Sequence, residues 1–175
     1  MVEQLAQQFR ALDGADVELT DPKATGSHLD VLVPASKLRE LTQIVRDAEF
    51  LIESVSAIDT TPQMMTIYHF SHPDRFCRVT ARVLIDRESP SCPTIQDIYP
   101  GANWHERETD DFFGIDFEGH PDKTPLILPE DAGDLNPLLK EGKRLKELGV
   151  IFPRFATPEP EAEPEKPATD PESEG

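Results

Sequence analysis

Side chains able to ligate a metal or move a proton crowd into the stretch Asn103–Pro121, which reads N-W-H-E-R-E-T-D-D-F-F-G-I-D-F-E-G-H-P. One chemistry they could serve is metal-assisted hydrolysis. His105, Glu108 and Asp111 would share roughly one side of a helix, and His120 could return across a turn, a set suited to a hard or borderline metal. The pair His105-Glu106 invites comparison with the H-E-x-x-H zinc helix, but the residue four beyond His105 is Thr109, so the second imidazole is missing. A second chemistry is general acid–base catalysis by paired carboxylates whose pKa values are held apart. Arg107 argues against it. It lies between Glu106 and Glu108 and one helical turn before Asp111, where a guanidinium neutralises carboxylates rather than leaving one free to accept a proton. Structural or interfacial ion pairing is therefore the expectation for these charges. For His120 the plainer expectation is a bond within its own tight turn.

The elements that must position these residues can be read from periodicity and punctuation. A helix over 102–113 carries the charged run, Gly114 is its C-terminal stop, and Gly119-His120-Pro121 turns the chain again. Upstream, Leu5, Phe9 and Leu12 predict a short helix stopped near Gly14. The runs 17–19 and 29–33, separated by Asp21-Pro22 and Gly26, predict a hairpin. Ser36 is placed to N-cap a helix whose buried face is Leu38, Leu41, Ile44, Val45 and Ala48. The strand-length runs 50–58, 64–70 and 76–85, joined by short turns, predict an antiparallel meander. Ser89–Pro93 reads as a loop, 94–99 as a helical turn and 125–129 as extended. A polar helix over 137–148 is expected to end at Gly149, and 151–155 closes the folded part. The fold class is α+β: a mainly antiparallel sheet with flanking helices, then an extended C-terminal region.

The chain has 175 residues and a formal net charge of -17. Residues 1–155 make one domain with a sizeable core, whereas 156–175, rich in Pro and Glu, cannot bury enough apolar surface to offset its ordering entropy and is expected to be a disordered acidic tail. So acidic a chain has no electrostatic drive toward nucleic acid or an anionic membrane. No apolar run is long enough to cross a bilayer, and no secretory leader is written at the N-terminus, so a cytosolic protein with reduced Cys77 and Cys92 is expected. Neither a glycine-rich phosphate loop nor a G-x-S-x-G elbow occurs. These residues describe a cofactor-free domain with a binding profile.

The run Tyr99-Pro-Gly-Ala-Asn-Trp-His-Glu-Arg-Glu108, followed by Asp111, Gly114-Ile115, Phe117 and Gly119-His120-Pro121-Asp122, resembles the signature of the 30-kilodalton subunit of respiratory complex I. That family includes the C subunit of NADH-quinone oxidoreductase and the counterpart in energy-converting membrane-bound nickel-iron hydrogenases. Val31-Leu-Val-Pro34, the helix from Leu38, the A-I-D ending at Asp59 and the Tyr68-His69 strand fit as well, so the likeness covers roughly residues 29–131.

The resemblance implies an oxidoreductase subunit without a prosthetic group, peripheral on the cytoplasmic face and held there by partners rather than by membrane insertion. Those partners would be a large hydrogenase-like (49 kDa-type) subunit and a small iron-sulfur subunit. They would carry the iron-sulfur clusters and the quinone or nickel-iron site. Glu106, Arg107, Glu108, Asp111, Gly114, Gly119, His120, Pro121 and Asp122 would shape the contact region, none of them as a redox centre. Lys123-Thr124-Pro125 and Pro137-Leu138-Leu139 depart from the arginine-containing runs of many members, so contacts made by those arginines are not expected here. The competing expectations are a stand-alone hydrolase holding a metal on His105, Glu108, Asp111 and His120, and a binding module recruited by the acidic tail.

Overall fold

Three neighbouring stretches in which apolar side chains recur at every second residue build the centre of the molecule. A computed structural model describes residues 1–133 and 135–155, and the expected acidic tail lies outside the described residues. In chain order the elements are α1 (Val2–Arg10), β1 (Asp16–Leu19), the single turn α2 (Pro22–Thr25), β2 (Leu29–Leu32) and α3 (Leu38–Asp47). Then come β3 (Leu51–Ile58), β4 (Gln63–Ser71), β5 (Arg78–Asp86), β6 (Ser91–Pro93), α4 (Ala102–Phe113), β7 (Asp116–Glu118) and α5 (Leu148–Ile151).

The expected meander is present: β3, β4 and β5 pair antiparallel, and β1 and β2 form the expected antiparallel hairpin. Periodicity did not reveal how the two units join. β2 runs parallel to β5, giving the order β1-β2-β5-β4-β3. On one face Met64, Tyr68 and Phe70 of β4 and Val79, Ala81 and Val83 of β5 enter a core with Leu5 and Phe9 of α1 and Leu38, Leu41 and Val45 of α3. Met65 and Ile67 belong to the other face, where Leu148, Phe152 and Phe155 cover them. Arg154 fastens that cover to Asp16 and Glu18 of β1 at 2.7 and 2.9 Å.

Several local expectations are corrected. Ser36 does not cap α3. It lies inside a tighter turn, Ala35–Lys37, that begins at Pro34, and the N-cap of α3 is Lys37 without a side-chain bond. The fixed φ of Pro34 starts this turn early. Part of the Ser89–Pro93 loop is strand, because β6 pairs parallel with β7. Phe76 stays in the β4–β5 turn, 80% exposed.

The polar helix over 137–148 does not form. There is only a tight turn, Gly142–Arg144, and then α5, which contains Gly149 instead of ending there. Gly142 interrupts the helical backbone at φ 54, and the backbone of this stretch bonds elsewhere: the Lys140 amide donates to Asp59, and the Thr61 amide to the Lys146 carbonyl.

Candidate functional site

α4 spans the expected residues, and its inward stripe is Ala102, Glu106 and Thr109, spaced to fall on one face. Glu106 is the exception to an otherwise small or neutral stripe, since its carboxylate is fully buried. The Thr94 hydroxyl donates to one of its oxygens and the Ile95 amide to the other, the latter at 2.8 Å. Burial outweighs these bonds and pushes the Glu106 carboxyl up to about 7.

His120, also buried, approaches from the turn after β7, with Nε2 at 3.9 Å from the carboxylate. Its Nδ1 lies 2.7 Å from the Asp122 carbonyl and 3.2 Å from the Asp122 amide nitrogen, so the ring bonds its own turn as expected, donating to the carbonyl in one tautomer and accepting from the amide in the other.

Arg107 does not pair with Glu106, Glu108 or Asp111. Its guanidinium reaches Asp122 at 3.0 Å and donates to the Thr124 carbonyl and hydroxyl at 3.1 Å each and to the Pro125 carbonyl at 3.2 Å. One turn on, a single Asp111 oxygen accepts from the amides of Leu126, Ile127 and Leu128 at 3.0, 2.7 and 3.0 Å. The piece expected to be extended at 125–129 therefore bends around a carboxylate. An exposed helical ion pair is worth about 0.3–0.5 kcal/mol, whereas a non-regular loop has backbone groups that must find partners. Arg107 and Asp111 thus clamp the segment 122–128 to α4 from its carbonyls and its amides respectively. Bonds from the Thr124 hydroxyl and amide hold the Asp122 carboxyl below its ordinary value.

Gly114 ends α4 in the left-handed region at φ 67, and a Cβ there would lie 2.7 Å from the Asn136 side-chain nitrogen. Gly114→Ala is expected to lower the unfolding free energy by about 1–2 kcal/mol, read from the urea midpoint at unchanged slope. Gly119 also has a positive φ, 81. Pro121 and Glu108 face solvent, and Trp104, one turn before Glu108, is 69% exposed.

The proposed ligand set His105, Glu108, Asp111 and His120 is not assembled. His120 turns inward toward Glu106 while Asp111 is occupied by the loop amides, and no three His, Cys, Asp or Glu side chains among the described residues converge as a metal would require. Sequence reasoning missed Thr94, which lies before the helix and carries no spacing signal. It also passed over the exposure of Trp104, although its helical position opposite Ala102 and Glu106 pointed outward.

The family model described as Respiratory-chain NADH dehydrogenase, 30 Kd subunit, matches residues 31–146. The C subunit of NADH-quinone oxidoreductase from Roseiflexus sp. (strain RS-1) is 34% identical over 110 residues, 59% of this chain and 63% of that one. The C subunit of F(420)H(2) dehydrogenase from Methanosarcina mazei is 34% identical over 90 residues, 50% of this chain and 57% of that one. The chain thus spans less than two thirds of the length of these relatives. A chain of the membrane-bound sulfane sulfur reductase, an archaeal respiratory membrane complex, shares the fold with a TM-score of 0.68 over 94% of this chain and 95% of that one, at 24% identity. Because the matched region runs from β2 through α4 and its clamped segment almost to α5, the chain belongs to the respiratory-chain NADH dehydrogenase 30 kDa subunit family.

Proposed function

We propose that this chain is a peripheral, cofactor-free subunit of a complex I-like membrane oxidoreductase, of the NADH-quinone or the energy-converting nickel-iron hydrogenase type. It docks on the large hydrogenase-like subunit, next to the small iron-sulfur subunit, on the cytoplasmic side of the membrane. Those subunits carry the iron-sulfur clusters and the quinone or nickel-iron site, and this chain supports electron transfer coupled to ion translocation by holding them in place. No helix among the described residues is long and apolar enough to cross a membrane, in keeping with attachment through protein contacts.

The observation that carries this reading is the clamp. Arg107 and Asp111 spend their hydrogen bonds on the chain's own loop, which fixes a rigid surface and leaves Trp104 and Glu108 pointing outward from it. An exposed aromatic on a rigid helix is the kind of residue that dominates a protein interface.

The test is gentle purification of the tagged chain from membranes with identification of co-purifying chains. A hydrogenase-like large subunit is expected, and Trp104→Ala is expected to weaken its capture by about 30-fold at unchanged melting temperature. Recovery of the chain alone, or with stoichiometric tightly bound zinc, manganese or iron, would overturn the proposal.

A further inference from the structure

Glu106 and His120 face one another in the interior, and neither is used by the clamp. Their side chains are 0% and 2% exposed, and among the described residues His120 is the group of potential positive charge within ion-pair distance of Glu106. His120 Nε2, the atom nearest the carboxylate, has no hydrogen-bond partner among the described residues. With Nδ1–H donating to the Asp122 carbonyl, Nε2 faces the carboxylate as a lone pair; with Nδ1 accepting from the Asp122 amide, Nε2 carries the proton toward it.

We propose that Glu106 and His120 share one proton and form a pH-sensitive latch that seats the segment 119–128 against α4. With the proton on either partner the pair is neutral overall, and the buried site carries no net charge. Loss of that proton leaves a buried carboxylate facing an imidazole lone pair, and opening of the 119–122 turn relieves this by exposing Glu106 to solvent. The turn continues into Asp122, which Arg107 holds, so opening is transmitted to the amides bound by Asp111.

The surrounding charges do not replace the proton. Arg39 of α3 is engaged by Asp97 at 2.6 Å and by the Thr94 carbonyl. Asp110 of α4 lies on the His120 side, with its carboxyl pushed up by burial. Lys123 pairs with Asp116, and Glu118 of β7 accepts from Ser91. From the sheet side, Cys92 and Tyr68 are held protonated by burial. The regulatory meaning of the latch, a docking face that loosens as pH rises, rests on the docking role proposed above; the latch itself does not.

The experiment is NMR on the full chain, following the Glu106 carboxyl carbon, the His120 ring nitrogens and exchange of the Leu126, Ile127 and Leu128 amides. The Glu106 carbon is expected to move with pH in a step that the exchange of the three amides follows. Protection of the three amides, corrected for intrinsic exchange, is expected to fall about tenfold between about pH 6 and about pH 8.5 in the native chain and to stay level in Glu106→Gln. His120→Gln, which offers the carboxylate a permanent donor, is expected to flatten the same profile and serves if Glu106→Gln does not fold. A Glu106 carbon that shows no step, or equal pH dependence of the amides in native and variant chains, overturns the latch. Partner capture at about pH 6.5, where the latch is closed, is read separately, so loss of capture sinks the docking role without touching the latch.

Discussion

Asp59→Ala is expected to cost about 3 kcal/mol of folding stability, the low end of the range for breaking a buried ion pair from one side. Asp59 directly follows β3 with its side chain fully buried, and it accepts from Arg87 at 2.8 and 3.2 Å and from the Lys140 amide at 2.7 Å. Arg87 in turn donates to the Lys140 carbonyl at 3.2 Å. One carboxylate therefore ties the ends of β3 and β5 to the segment that leads into α5. Its removal strands the guanidinium and the amide together. Arg87 keeps 24% exposure and can partly rehydrate, which is why the low end applies. Urea unfolding at neutral pH measures the loss, and faster proteolysis within 138–147 accompanies it. Arg87→Ala in the Asp59→Ala background is expected to add little, because the partner is already gone. A single-variant loss below about 1 kcal/mol would show that the pair is idle.

The Asp59 staple also shows where sequence reasoning stopped. The A-I-D ending was visible, but its partners lie far along the chain, at Arg87 and Lys140, and no spacing rule links them. α4 was legible because one stripe of its residues is inward-facing and Gly114 supplies a left-handed stop. The meander was legible because side-chain direction alternates along each strand. β6 and β7, three residues each, are too short to show a period, and their parallel pairing joins segments separated by all of α4.

At the site, the partners of Arg107 differ from those its neighbours in sequence suggest. An Arg among acids on a helix suggests pairing along that helix, and only the folded chain presents the carbonyls of Thr124 and Pro125 that Arg107 takes instead. In the sequence Glu106 is one of the carboxylates beside Arg107, for which structural or interfacial ion pairing is the expectation. Its position in the stripe with Ala102 and Thr109 was the available sign that it faces inward, and the Thr94 hydroxyl that makes this tolerable came from outside the helix.

That burial makes Glu106→Gln the variant expected to change the pH profile most. Burial raises the folded-state Glu106 carboxyl from 4.5 to about 7, so the native state binds this proton more tightly than the unfolded chain does. Stability from this group is fully present below the unfolded value, declines as pH rises, and is lost once pH has passed through the folded value. Over that window the native protein is expected to lose about 3 kcal/mol relative to a chain whose side chain cannot ionise. Gln is neutral at every pH, its carbonyl can accept from the Ile95 amide, and its amide can donate to the Thr94 oxygen and toward His120 Nε2. Glu106→Gln should therefore match the native chain within about 1 kcal/mol at about pH 5, and exceed it by about 2–3 kcal/mol at about pH 8.5. Denaturant unfolding across this range decides the matter. A native profile parallel to that of the variant would mean that Glu106 stays ionised in the fold throughout, held by Thr94 and Ile95 more strongly than its burial opposes.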